Sequence, residues 1–242
     1  ALVAATAAGA LLLAISSSAV VTLPYLLTWV AAPAAVVLVL LLVGGRALLW
    51  RRLAVGIMTG FWIGLVSTIG LEIVRETGFR GFHSMPGDLP MLIGIKVLGR
   101  MVMQGPDLSS NLAGWGFHFW NGAMFGIIFV LLIGGFPRSG GVVGSWAAAG
   151  MGALYGVVLG TGFLLSPLSV VTGAGIFGAN SGPPYVVTVY LAHLVFGAIL
   201  GLLTHHFART MAPLWTPVID ILKPATRPTP EPQPPADVRT KA

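Results

Sequence analysis

His118-Phe-Trp-Asn-Gly-Ala-Met-Phe-Gly126 and, later in the chain, His193-Leu-Val-Phe-Gly-Ala-Ile-Leu-Gly201 share one pattern, HxxxGAxxG. Both copies lie in long stretches without Asp, Glu, Lys or Arg, 108–137 and 139–208, and two more such stretches cover 1–45 and 53–71. A helix needs about 20 apolar residues to cross the hydrocarbon core of a bilayer, and each stretch is about that long or longer. Ahead of each copy runs a series of glycines spaced by four: Gly56, Gly60 and Gly64 before the first, Gly152, Gly156 and Gly160 before the second. That spacing puts small residues on one helix face, where two backbones can approach closely and pack by dispersion. Gly122, Gly126, Gly197 and Gly201 belong to the same expected contacts.

Composition narrows the class further. Of the 242 residues, 56% are hydrophobic and only 8% charged, whereas a soluble domain carries about 25% charged residues to stay hydrated. Mean hydropathy is +0.91. A soluble enzyme, a nucleic-acid-binding domain and a disordered chain are excluded. The isoelectric point near 10.3 does not restore a nucleic-acid partner, because the basic residues sit singly or in small groups beside apolar spans. With no cysteine there is no disulfide, thiolate metal site or iron–sulfur cluster. No nucleotide loop, HExxH pair or nucleophile elbow occurs. No basic segment precedes the first apolar run, so no cleavable signal peptide is expected, and the true N-terminus is expected ahead of Ala1.

The expected fold is an all-α integral membrane protein with about six transmembrane helices, at 1–22, 25–45, 54–76, 113–134, 144–166 and 184–206. Pro24 separates the first two, since proline breaks the hydrogen-bond ladder inside a helix, and Pro33 falls within the second. The order of glycine series, loop and HxxxGAxxG occurs twice, and each unit crosses twice. Two parallel repeats related by an axis along the membrane normal would thus form a four-helix core over 46–206, with 1–45 as an N-terminal hairpin. Arg46, Arg51, Arg52, Arg138 and Arg209 share one side, which the positive-inside bias makes cytoplasmic, together with both termini, in a bacterial inner membrane. The loop 77–112 lies on the other side. Within it, Leu92, Ile95, Leu98, Met101 and Val102 give Asp88–Gln104 an amphipathic pattern, either a helix lying in the interface or one packed on other spans. The tail 207–242, rich in proline from Pro224 onward, cannot build a core.

The Gly-Trp-Gly-Phe-His118 run, the Thr172-Gly-Ala-Gly-Ile-Phe-Gly178 loop and the Ala-His193-Leu-Val-Phe-Gly-Ala run resemble an uncharacterised family of small bacterial polytopic membrane proteins. The resemblance covers residues of about 54–206 and implies a membrane fold without implying an activity.

His118, His193 and Glu72 lie within expected spans toward the non-cytoplasmic side, where ionisable groups are costly and mark candidate sites. The two histidines could ligate a b-type haem, or with Glu72 a metal ion. They could serve a proton or quinone site, or simply hydrogen-bond neighbouring helices. Glu72 and Glu76, four apart with Arg75 and Arg80 near, read as an ion-pair network. His83, Met85 and Asp88 could extend a metal site on the outer face. His205 and His206 read as caps at a helix C-terminus, and Trp29, Trp50, Trp115 and Trp215 as interface anchors. The leading expectation is a non-catalytic accessory subunit of a respiratory or photosynthetic electron-transfer assembly, without a cofactor, whose partners are other integral membrane subunits and lipids. The alternatives are a haem- or metal-binding redox protein using His118 and His193, and a small transporter or channel. Against transport stand the few polar residues in the spans and the lack of an obvious broken helix at mid-membrane.

Overall fold

The computed structural model describes residues 1–216 apart from 10, 19, 49, 102–103 and 137–139. Val102 and Arg138, used above, and the proline-rich tail 224–242 lie outside the described residues. Among those described there is no strand. The helices run, in chain order, α1 (Leu2–Ala8), α2 (Leu11–Ser17), α3 (Leu23–Ala47), α4 (Arg51–Glu76), α5 (Leu89–Val97), α6 (Leu108–Ile133), α7 (Gly141–Leu165), α8 (Pro167–Val171) and α9 (Pro183–Phe207). Five of these segments, α3, α4, α6, α7 and α9, are long and apolar enough to cross a membrane. In α3 the turn before Pro33 widens to π geometry over Leu27–Ala31, a usual accommodation where a proline withholds its donor.

The expected first span, 1–22, is not one helix. It is two helices of 7 residues each, about 10 Å apiece at 1.5 Å per residue, and neither could cross alone. The break falls at Gly9. There the freed Ala8 carbonyl accepts a hydrogen bond from Trp120 Nε1 at 2.7 Å, and a Cβ on Gly9 would stand 3.1 Å from Met124 Cβ. Trp120 sits near the midpoint of α6, so a broken helix does exist at the middle of the bundle, contrary to expectation.

Glycine sets the helix pairs. A Cβ on Gly60 would lie 2.5 Å from Ile127 Cα, and one on Gly64 2.8 Å from Ala123 Cα, so α4 meets α6 backbone to backbone. At Gly122 and Gly126 the added atom would run into Thr68 and the Gly60 carbonyl. In the other half, α7 and α9 touch the same way: Gly152 against the Gly197 carbonyl, Gly156 against the His193 carbonyl, Gly201 against the Ala148 carbonyl, and Gly160 against His193 Cβ at 3.3 Å. The halves join where α4 packs on α9. The helix of the 77–112 loop, α5, takes the second of its two expected arrangements and packs on α6, with Gly94 and Gly114 opposed so closely that a Cβ on Gly114 would lie 2.9 Å from Gly94 N. One end of the bundle carries Arg46, Arg52 and Arg209 and is termed the basic end below. There Arg52 donates from Nη2 to the Leu131 carbonyl at 2.9 Å and from Nε to the Ala212 carbonyl at 3.1 Å, satisfying acceptors that a helix C-terminus leaves open. Leu131 is buried at 3% exposure and packs over Gly56.

At the other end of α6 a capping box starts the helix: the Asp107 carboxylate accepts from Ser110 N at 2.8 Å, and Asp107 N donates to Ser110 Oγ at 2.9 Å. The Ser110 amide and the Arg100 guanidinium pull the Asp107 carboxyl down from 3.8 to about 2. A lowered carboxyl pKa contributes stability that is present above the unfolded value and lost as pH falls through the folded one.

Two outcomes follow from this packing. Gly126→Ala and Gly197→Ala should each cost about 1–3 kcal/mol by overpacking, whereas Gly116→Ala and Gly150→Ala, with nothing within 4 Å of the added atom, should be neutral or slightly stabilising; thermal denaturation in detergent separates the two groups. Asp107→Ala should lower the melting temperature at neutral pH, and the difference from wild type should shrink between pH 4 and about 2 as the native carboxylate protonates.

Candidate functional site

Toward the end opposite the basic one, the two halves enclose a cavity of about 410 Å³. Its walls come from α2 (Leu13), α4 (Thr68, Leu71, Arg75), α5 (Ile93), α6 (His118, Asn121, Phe125), α7 (Leu159, Phe163) and α9 (Thr188, His193, Phe196). Along α4 the lining begins directly after Gly64, the last of its close-packed glycines. The cavity is mostly apolar, and the polar groups that reach it are few.

Glu72 and His118 are brought together: His118 Nε2 stands 2.7 Å from Glu72 Oε1. An approach this short needs a hydrogen on Nε2, although its angle falls outside good hydrogen-bond alignment. Arg75 is the centre of the cluster. It donates from Nε to both Glu72 oxygens at 2.9 Å, from Nη2 to Glu72 at 2.7 Å and to Glu76 at 2.5 Å, and its Nη1 lies 3.1 Å from Asp88 Oδ1. Arg80 closes the outer edge on Glu76. Arg75 is only 3% exposed, with its guanidinium 5.7 Å from the Trp115 ring centroid. Two guanidiniums face three carboxylates, so the carboxylates outnumber the arginines by one. At the loop, burial pushes the Asp88 carboxyl up while the Arg75 guanidinium pulls it back.

His193 lines the same cavity from the second half and stacks on Phe163 at 6.1 Å between ring centroids. Its Nδ1 pairs with the Val189 carbonyl at 2.8 Å, which puts the hydrogen on Nδ1 and leaves Nε2 as an acceptor. Asn121 donates from Nδ2 to the Phe117 carbonyl at 2.8 Å, and its Oδ1 is buried without a partner. His193 Nε2 is therefore an open acceptor on the cavity wall, whereas Asn121 Oδ1 is enclosed by protein.

Several expected groupings do not form. Among the described residues no set of three or more His, Cys, Asp or Glu is arranged to hold a metal ion, and Glu72 is occupied by Arg75. His83 is exposed in the loop with φ +49°, Met85 lines the cavity, and Asp88 turns to Arg75, so the three are not one site. Trp115 stands beside Arg75. His205 and His206 fall in the last turn of α9, with His205 buried and its Nδ1 unpartnered. The parts that sequence reasoning missed are Arg75 as the hub, Asp88 as its partner and Leu13 of α2 as part of the wall. Only the first had a local signal, an arginine three residues from Glu72 beside an apolar run.

No family model, no curated protein and no solved structure matches the chain.

Removing one member of a buried pair leaves an uncompensated charge and costs about 3–5 kcal/mol. Arg75→Met should therefore be among the most damaging single changes in this chain, measured by thermal denaturation in detergent. Arg75→Met with Glu72→Met should recover part of the loss, and Arg80→Gln, at the exposed edge, should leave the midpoint nearly unchanged.

Proposed function

We propose that this chain is a membrane-embedded binding protein for an amphipathic small molecule, held with its apolar part in the cavity and a hydroxyl-bearing end at His193. The observation that carries this is the pairing of an apolar cavity with an open acceptor on its wall, His193 Nε2. An acceptor left without a partner in apolar surroundings costs about 1–3 kcal/mol, and a ligand that donates a hydrogen bond removes that cost. Lipid-soluble alcohols and quinols combine such donors with an apolar body. The Glu72–His118 contact stands at the cavity wall, where Arg75 holds Glu72 in place. No bond-making residue is assigned, and the protein is read as a non-enzyme.

The matching helix pairs in the two halves support two repeats related by an axis along the membrane normal. The positive-inside bias supports a multi-pass protein of a bacterial inner membrane with the basic end in the cytoplasm. A role as an accessory subunit beside other integral subunits, in an assembly that uses such a ligand, suits the lack of other chemistry in the spans. A second reading, haem iron or a metal ion on His193 and His118, is favoured by one observation: a histidine that donates its other ring nitrogen to a carbonyl is arranged as metal-bound histidines are.

Organic extraction of the natively purified protein should release a lipid-soluble hydroxyl compound in near-stoichiometric amount. Gly162→Phe, which grows into open space at the cavity wall, should lose it while remaining folded. A wild-type sample without such a compound, and without thermal stabilisation by added quinol or polyprenol, would refute the proposal; a haem spectrum lost in His193→Ala would establish the second reading instead.

A further inference from the structure

Among the described residues the apolar cavity comes to the surface at one place, on the side of the bundle. Of the residues that line it, Val158 and Gly162 are exposed, and the others are buried or half-buried. Both sit on α7, four apart and so on one face of the helix. Val158 is 60% exposed, and a Cβ on Gly162 would meet nothing within 4 Å. Leu154 and Leu165 of the same helix are exposed beside them. Val158 lies about 10 Å along the axis from the end of α7 at Leu165, so the mouth opens on an apolar stretch of helix surface. In a membrane-spanning helix such a surface faces hydrocarbon. The opening exists because α6 and α7, consecutive in the chain, do not pack closely on one another: α6 packs on α4 and α5, and α7 on α9. On the basic side of the mouth they are tied by Tyr155, which donates from Oη to the Phe125 carbonyl at 3.2 Å and sets its ring 5.1 Å from that of Phe129. Gly160, between Val158 and Gly162 in the chain, packs on His193 Cβ. The open acceptor and the mouth are therefore at one level of the bundle.

We propose that this mouth is a lateral doorway to the bilayer, and that the ligand is a long-chain lipid alcohol whose hydroxyl reaches His193 while its tail passes out between α6 and α7. The proposal rests on the cavity being a ligand site, and adds the length of the ligand and the path by which it arrives. A closed cavity rejects chains longer than itself. An open one accepts any length, because the part of the tail beyond Val158 stays in hydrocarbon and gains little by leaving lipid for protein.

Geraniol, farnesol and geranylgeraniol share a head and differ in tail length. Each is titrated into the full chain purified in maltoside detergent, at concentrations expressed per mole of detergent. Thermal stabilisation and ligand retention in native mass spectrometry are read together. The three should bind the wild type with affinities equal within about threefold. Val158→Trp, which narrows the mouth at an exposed position, should keep geraniol at the wild-type level and weaken geranylgeraniol by about tenfold or more. Leu154→Trp, one turn away and outside the cavity wall, should change neither. If Val158→Trp fails to fold, geranylgeraniol with a diazirine at the end of its tail reads the wild type directly: photolabelling of exposed α7 residues around Val158 supports the doorway, and labelling confined to the inner wall at Leu71 or Ile93 counts against it. A wild type that binds geraniol but rejects geranylgeraniol, or a Val158→Trp protein that binds both as the wild type does, would overturn the doorway and leave the binding site standing. Failure of all three alcohols to bind would overturn the binding site itself, and the doorway with it.

Discussion

Backbone contact between helices at glycine is the constraint on which the rest of this structure depends. In hydrocarbon, apolar side chains gain little by leaving lipid for one another, so helix association relies on close packing. Gly60 and Gly64 let α4 meet the backbone of α6, and Gly152 and Gly156 let α7 meet that of α9. Each contact lies in the middle or basic half of its helix. Toward the other end the large side chains Leu71, Phe163 and Phe196 stand between the halves, and there the halves surround a cavity. The tight half and the hollow half are two consequences of one distribution of residue size.

Polar chemistry is concentrated where the close packing ends. A lone arginine at 3% exposure would be prohibitive in an apolar bundle. Arg75 is tolerated because Glu72, Glu76 and Asp88 converge on it from α4 and from the start of α5. The backbone apposition of Gly94 and Gly114 holds α5 on α6 and so keeps Asp88 in reach. His118 enters the same network from α6, which ties a cavity-lining imidazole to a charge cluster that extends to the exposed Arg80. His193, the matching residue of the second HxxxGAxxG, has no such carboxylate and is satisfied by the Val189 carbonyl. Identical motifs thus carry histidines with different partners, because α4 offers Glu72 to the first and α7 offers Phe163 to the second.

The N-terminal segment illustrates the limit of hydropathy. Residues 1–22 carry no charged side chain, and hydropathy alone treats them as one span. Gly9 is the sole local sign of a break, and glycine occurs inside many unbroken membrane helices. The break needs an acceptor for its freed carbonyl, and Trp120 of α6 provides the donor, a partner more than a hundred residues away. Leu131 shows the same limit on a single side chain: nothing nearby in the chain distinguishes a leucine facing lipid from one covering Gly56.

The sequence by itself determined that the chain is helical, that its long helices suit a membrane, and where most of them begin and end, because charge-free stretches, prolines and capping residues are local properties of the chain. Four-residue glycine spacing likewise put small residues on one face by helical geometry alone. Only the tertiary structure decided which backbone each glycine meets, that Asp88 answers Arg75, that α2 helps to wall the cavity, and that α6 and α7 part beside it. Those outcomes depend on distances between segments far apart in the chain, which the periodicity of any one helix does not encode.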